Sequence, residues 1–154
     1  ARFRDAMNRL WGDKLQDISS LPKTLDKRQG LLLLGDAKWL SSYEQLPQAR
    51  VYTIPLAIEE NPSLPVGIQF CDTPALYQAS WPDILKAYEA KPVSMPYQRL
   101  LAFGGDAWQI AESLLNEAKS AQFAGRTGKI RIVDNVIERQ PACMQVAPDG
   151  LTFR

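Results

Sequence analysis

Three aspartates, Asp36, Asp72 and Asp106, are the side chains best suited to chemistry, because a carboxylate can act as an acid, a base or a ligand. The sequence contains no histidine, which excludes imidazole-based catalytic triads and the commonest metal ligand. Cys71 and Cys143 lie far apart and form no CxxC motif. We therefore expect a protein that is not an enzyme, with no catalytic residue, no metal site and no cofactor. An α/β enzyme that acts through these carboxylates ranks third, behind two functions that need binding alone.

The candidate side chains follow predicted strands of a mostly parallel sheet. An unbroken apolar run between Gly30 and Gly35 predicts a central strand covered on both faces. Residues 50–54 and 66–70 are rich in β-branched and aromatic side chains and predict two further strands. Because the carboxyl ends of parallel strands share one edge of a sheet, the ligand-crevice candidates are the residues at these ends: Asp36, Pro55, Asp72 and Thr73.

Each candidate also has a structural interpretation that needs no ligand. Asp36 is well placed to cap a helix, Pro55 to end a strand and Asp72 to form an Asx turn. Asp106 falls within a predicted helix, where a hydrogen bond at a packing interface is the simpler role. Thr127, between two glycines, fits a tight turn into a strand or an anion held on backbone amides.

Helices are predicted to cover this sheet. Apolar residues at helical spacing predict an amphipathic helix at residues 2–11, and Pro82 is placed to open a short one. Apolar residues recur every three or four positions from Tyr97 to Ala118, which predicts the longest helix. After Gly128 the pattern alternates and predicts antiparallel hairpins. Tryptophans 11 and 39 are expected in the core, and both cysteines as buried free thiols, although an oxidising compartment would permit a bond.

Composition and charge narrow the class of protein. The 154 residues have the length of one domain and carry a net charge of +1, with no basic face of the kind that binds nucleic acid. No apolar run approaches the roughly 18–20 residues that a membrane span needs. The chain starts at Ala1, with neither an initiator Met nor a signal peptide, and we expect a mature product or a fragment.

Five segments, taken in order, follow the pattern of one known family. Residues 2–11 are similar to F-x-x-A-F-x-x-x-W, 67–74 to G-x-x-F-x-D-x-P-W, 101–108 to A-x-G-x-D-A-Y, 125–130 to G-x-T-G-x-L, and 136–139 to x-I-x-R. These segments resemble the LppC/LpoA family of outer-membrane lipoproteins, which activate penicillin-binding proteins. Ala75 replaces the expected Trp, and Gly105 interrupts the long-helix motif. The matching positions are Gly67, Phe70, Asp72, Pro74, Asp106, Ala107, Gly125, Thr127, Gly128 and Arg139.

The resemblance implies a fold. It is one lobe of a periplasmic-binding-protein type I-like α/β fold, a mostly parallel sheet flanked by helices with a C-terminal antiparallel hairpin. Family members have two lobes, so residues 1–154 look like a single α/β domain that is a fragment of a larger one, one lobe plus a return segment. The long helix would then expose an apolar stripe, and the isolated chain would self-associate.

The resemblance also implies a function. The expected protein is a non-catalytic regulator of peptidoglycan synthesis that binds and activates a class A penicillin-binding protein from the outer-membrane side. It would be periplasmic, attached to the membrane only through a lipid anchor outside this chain. Tyr77 and Trp81, in the loop after the third strand, are the partner-binding candidates. The alternative function is a solute-binding receptor lobe for an amino acid or similar small ligand.

Overall fold

The computed structural model describes residues 2–58, 64–78, 81, 93–116 and 120–154, which form two sheets and three α-helices. The helices are α1 (Arg2–Trp11), α2 (Ala37–Ser41) and α3 (Met95–Leu115). The strands are β1 (Gly30–Leu33), β2 (Arg50–Thr53), β3 (Ile68–Asp72), β4 (Ser120–Gly125), β5 (Gly128–Val133), β6 (Val136–Gln140), β7 (Ala142–Ala147) and β8 (Gly150–Phe153). The helix predicted at Pro82 and the end of the long helix at Ala118 lie outside the described residues.

The larger sheet has five strands in the order β1-β2-β3-β7-β8. Strands β1 to β3 run parallel, and the C-terminal hairpin of β7 and β8 joins them antiparallel through β3. The predicted mostly parallel sheet with a C-terminal antiparallel hairpin is therefore confirmed. The central position predicted for β1 is wrong, since β1 lies at the edge of the sheet that the described residues form. The apolar run reflects the burial of Leu31 and Leu33. An edge strand can bury its side chains as fully as a central strand does.

The core lies on one face of this sheet. Leu31, Val51 and Ile68 stand side by side in the parallel register and are buried, and Leu40 of α2 packs against them. The opposite face carries side chains that are partly or fully exposed, among them Tyr52. Trp11 and Trp39 are also exposed, at 47% and 41%, so their predicted place in the core is wrong.

The two cysteines correct another expectation. Cys71 of β3 and Cys143 of β7 are register partners on the exposed face of the sheet and form a disulfide. The prediction of buried free thiols is therefore wrong. Their wide separation in sequence concealed the pairing, because only the return of β7 alongside β3 brings them together.

The smaller sheet is an antiparallel meander of β4, β5 and β6 that packs on α3. Ile130 and Ile132 of β5 are buried against Ile110 of the helix. Strand β4 was not predicted, and its alternation of partly buried and exposed residues becomes clear only beside β5. The helix buries one row, Ala102, Asp106 and Ile110, and leaves most of its other apolar residues exposed.

Candidate functional site

A crevice of about 380 Å³ lies where the two sheets meet, between the carboxyl end of β3 and the first half of α3. Two of the predicted crevice residues, Asp72 and Thr73, stand in its wall, and two residues of the family motifs, Thr127 and Arg139, stand there as well. The remaining lining residues are mainly apolar: Pro96, Arg99, Leu100, Phe103 and Pro141.

The other two predicted crevice residues lie elsewhere. Asp36 caps α2, accepting a hydrogen bond from the Trp39 amide at 2.8 Å, and is not among the residues that line the crevice. Pro55 follows β2 and contributes only its carbonyl, which accepts a hydrogen bond from Arg99 at 3.3 Å. The contacts of Asp36 and Pro55 therefore agree with their structural interpretations. Of the four predicted crevice residues, Asp72 and Thr73 line the crevice.

Asp72 is buried and fully engaged by donors of the protein. Arg99 forms a bidentate pair with both carboxylate oxygens, each at 2.9 Å. The Thr73 amide and the Tyr77 hydroxyl each donate at 2.7 Å. A carboxylate that already accepts four hydrogen bonds is poorly placed to act on a substrate, so this network holds α3 against the end of β3.

Tyr77, predicted to bind a partner, uses both its ring and its hydroxyl in contacts within the protein. Its ring packs against Phe70 with centroids 6.1 Å apart, and its hydroxyl is committed to Asp72. Burial raises the pKa of Tyr77 well above its ordinary value, and the hydrogen bond to Asp72 raises it further. The aromatic ring therefore seals the edge of the core.

This raised pKa predicts a loss of stability in alkali. Below the ordinary tyrosine pKa of about 10 the stabilisation is fully present, and it falls as the pH rises above that value, because only the unfolded chain readily releases the proton. Unfolding by urea at pH 9 to 11.5 should show the decline. Tyr77→Phe should make the decline shallower, whereas Tyr97→Phe, at a residue 63% exposed, should not. Equal slopes for the two variants would contradict the prediction.

Asp106 links the helix motif to the Gly125–Gly128 turn. It is completely buried and accepts hydrogen bonds from the Arg126 amide, the Thr127 amide and the Thr127 hydroxyl, at 2.7, 2.7 and 2.6 Å. A side chain at Gly125 would collide with Ile130, with its Cβ 2.6 Å from Cδ1. At Gly128, where φ is +142°, a Cβ would fall 2.1 Å from the Gln140 carbonyl oxygen. The motif residues thus form one packing joint.

The other motif residues occupy supporting positions. Gly67, with φ of +97°, turns the chain into β3 and donates its amide to Val146 at 2.8 Å. Phe70 is buried in the core beside Met144, and Pro74 is buried at the start of a short 3-10 turn, Pro74–Leu76. Ala107 is exposed on α3, and nothing in the described contacts explains its presence in the motif.

Trp81 lies half-buried against Ala75 and Ala102, and the Arg126 guanidinium stacks on its ring at 5.1 Å. Arg126 crosses α3 at Gly105, where a Cβ would stand 2.8 Å from the arginine Cδ. Gly105, which interrupts the family pattern, therefore leaves the space that the Arg126 side chain needs to reach the Trp81 ring. Both predicted partner-binding residues, Tyr77 and Trp81, are partly exposed.

Arg139 differs from Arg99, the other arginine that lines the crevice. Its guanidinium stands 5.1 Å from the centre of the Phe103 ring, and no carboxylate within the described part of the chain pairs with it. The crevice therefore presents one positive charge on an apolar wall. Neither Arg99 nor Arg126 was identified from the sequence as a site residue. A signal was available for Arg99, because Arg99, Ala102 and Asp106 share one face of the helix.

Two further properties concern the described residues alone. They contain no cluster of three His, Cys, Asp or Glu side chains that would hold a metal ion. None of the helices they form is both long enough and apolar enough to cross a membrane.

Comparison with known proteins places this architecture. The sequence matches no protein-family model and no curated protein. Among solved structures, the LpoA (YraM) C-domain from Haemophilus influenzae, a regulator of PBP1A, aligns with 81% of this chain at a TM-score of 0.62 and 18% identity. The chain has the fold of part of the LpoA C-domain. Full-length LpoA from the same organism aligns with 84% of the chain at a TM-score of 0.65 and 19% identity.

The LpoA structures agree with the family that the five sequence segments resemble. The chain spans only part of them, covering 44% of the LpoA C-domain and 27% of full-length LpoA. At this identity the likeness establishes the fold, and the activity of the whole LpoA protein does not transfer with it.

Proposed function

We propose that this protein is a non-catalytic regulator of peptidoglycan synthesis that binds and activates a class A penicillin-binding protein. The observation that carries the proposal is the shared fold with the LpoA C-domain, which is described as a regulator of PBP1A. Regulation of this kind needs a binding surface and no catalytic group. The two carboxylates of the site are buried and hydrogen-bonded within the protein, which suits such a role.

The state of those carboxylates disfavours an enzyme. Asp72 is neutralised by Arg99, and Asp106 is occupied by the turn after β4. Neither carboxylate is open to a substrate, and Asp36 is occupied as a helix cap. The disulfide between Cys71 and Cys143 further supports an oxidising compartment such as the periplasm. In the proposal the protein faces the periplasm, on the outer-membrane side, and its lipid anchor lies outside this chain.

The surface proposed to meet the synthase is centred on Trp81 and Arg126. Tryptophan and arginine are among the residue types most enriched as interface anchors, and here they are stacked on each other. The stacking restricts both side chains before binding, which reduces the entropy lost on association. Tyr77 is not part of this surface, because its hydroxyl and ring are held within the core.

The experiment measures binding and stimulation together. The full-length protein is titrated against the organism's class A synthases, with glycan polymerisation and cross-linking followed in the same samples. We expect saturable binding and faster synthesis, and a drop in affinity of at least tenfold for Trp81→Ala. Trp39→Ala, at an exposed tryptophan on α2, is the matched control and should bind normally. No binding to any class A synthase would refute the function; full binding by Trp81→Ala would refute only the surface.

The crevice supports a second candidate, a receptor for a small anionic solute. Its volume of about 380 Å³ lies within the range of small-molecule pockets, and Arg139 would bind a carboxylate beside the apolar wall. Calorimetry with amino acids and short peptides should then detect binding that Arg139→Gln abolishes. Arg131→Gln, at an exposed arginine paired with Glu138, serves as the control. An absence of heat for every ligand would contradict this second candidate.

A further inference from the structure

The outward face of α3 carries a regular stripe of apolar residues. Its members follow one another at spacings of four, three, four, three and four: Tyr97, Leu101, Gly104, Trp108, Ala111 and Leu115. We call these six residues the outer stripe. Tyr97, Leu101, Trp108 and Leu115 are exposed by 63%, 48%, 75% and 83%. This alternation of three and four is the repeat by which one helix packs along another.

The outer stripe is separate from the packing that α3 already makes. The buried row of Ala102, Asp106 and Ile110 contacts the Pro74–Leu76 turn and the three-stranded sheet. On a helix with 3.6 residues per turn, the outer stripe lies on the opposite side of the axis. A helix that is apolar on both sides belongs inside a larger assembly, and only one of its sides is covered by the described residues.

Gly104 leaves room for another molecule to come close to the helix. Glycine is a poor helix former, yet Gly104 stands in the middle of α3, and a Cβ there would meet nothing within 4 Å. Gly105 next to it is explained by Arg126, whereas no contact within the described chain requires a glycine at 104. A missing side chain is useful when a bulky group from another molecule fills the space.

The outer stripe is complementary to itself. If two α3 helices lie antiparallel with their two-fold axis at the level of Asp106, Trp108 of each copy faces Gly104 of the other. In the same register Leu101 faces Ala111, and Tyr97 faces Leu115. In the four central pairings a large side chain meets a small one, which is how facing helices interdigitate. A two-fold axis repeats each favourable pairing, as in most homodimers.

The area is sufficient for such a dimer. Aromatic side chains bury roughly 150–250 Å² each and leucine somewhat less, so the four large residues of the stripe offer on the order of 500 Å² per copy at their observed exposures. Two copies then bury about 1,000 Å², the area that a specific interface should reach. The stripe contains no charged residue, so no charge is buried without a partner.

We propose that two copies of this chain associate through the outer stripe of α3, antiparallel about a two-fold axis. The occupant of this face is thus a second copy, and the surface proposed for the synthase, Trp81 with Arg126, remains outside the stripe. This inference does not depend on the proposed function, since it can be tested without a synthase.

The first test is the oligomeric state of the full chain by sedimentation equilibrium from 1 to 200 μM. We expect a monomer–dimer equilibrium, weakened at least a hundredfold by Trp108→Glu. Val136→Glu, at a residue 60% exposed on β6, is the matched control and should leave the equilibrium unchanged. A strict monomer at 200 μM, or a dimer that tolerates Trp108→Glu, would overturn the proposal.

A second variant separates association from folding. Gly104→Leu should raise the thermal stability of the monomer, because leucine is the better helix former and the site is open. It should also abolish the dimer, because the added side chain occupies the place of the partner's Trp108. A Gly104→Leu protein that still dimerises would exclude association through the outer stripe.

Cross-linking tests the antiparallel register. A protein with both Leu101→Cys and Ala111→Cys should form disulfide-linked dimers on mild oxidation, while each single variant should not. Efficient linking of either single variant would show parallel helices and overturn the proposed arrangement. If the double variant forms no linked dimer under conditions that oxidise exposed thiols, the proposed arrangement is wrong.

Discussion

Replacing Asp106 with alanine should lower the free energy of unfolding by about 3–5 kcal/mol, the range for breaking a buried charged network. The change leaves the Arg126 amide, the Thr127 amide and the Thr127 hydroxyl without their acceptor inside the protein. It also removes a carboxylate that is completely buried at the joint between α3 and the three-stranded sheet.

Urea unfolding followed by circular dichroism measures this effect. Asp106→Asn keeps one carbonyl acceptor and should cost less than the alanine variant. Asp13→Ala is the control, since Asp13 is an exposed aspartate of a short 3-10 turn, and it should change stability by about 0.5 kcal/mol or less. A loss below about 1 kcal/mol for Asp106→Ala would mean that water reaches the turn and replaces the carboxylate.

Removing the disulfide with Cys71→Ala and Cys143→Ala together should cost about 4 kcal/mol, as estimated from the entropy of closing a loop of this length in the unfolded chain. The two residues are 72 positions apart, so the bond excludes many extended conformations of the unfolded chain. They also join β3 to β7, the pair that connects the parallel strands to the C-terminal hairpin.

The control for this prediction uses the natural chain. A reducing agent should lower the urea midpoint of the wild type to that of the double variant and leave the double variant unchanged. A wild-type midpoint that does not respond to the reductant, after thiol counting shows complete reduction, would contradict the predicted contribution.

Much of the fold could be predicted because its signals are local. The β-branched run at Arg50–Thr53 and the alternation of β5 each indicate a strand within a few residues. The place of β1 at the edge could not be predicted, since an edge strand and a central strand bury their apolar residues in the same way. The disulfide was missed for the related reason that strand pairing between distant segments leaves no local pattern.

The candidate site was predicted in part. Asp72 and Thr73 were placed at the carboxyl end of a strand, and they do line the crevice. The buried row of α3 was not identified, because the helix is apolar on most sides and hydrophobic periodicity does not select one face. The contact between Asp106 and Thr127 joins a helix to a turn twenty-one residues away. Such contacts depend on tertiary packing, which spacing alone does not report.

The position of β7 beside β3 has a consequence for biosynthesis. In the proposed periplasmic setting the chain arrives from its amino end after translocation, so β3 is available before β7, and the edge that β7 will cover stays open meanwhile. All of α3 and the β4–β6 meander are completed within that interval. An open strand edge attracts other unfinished chains, and pairing over a long sequence separation is slow. A chaperone is therefore most useful to this chain after β3 has emerged and before β7 has emerged.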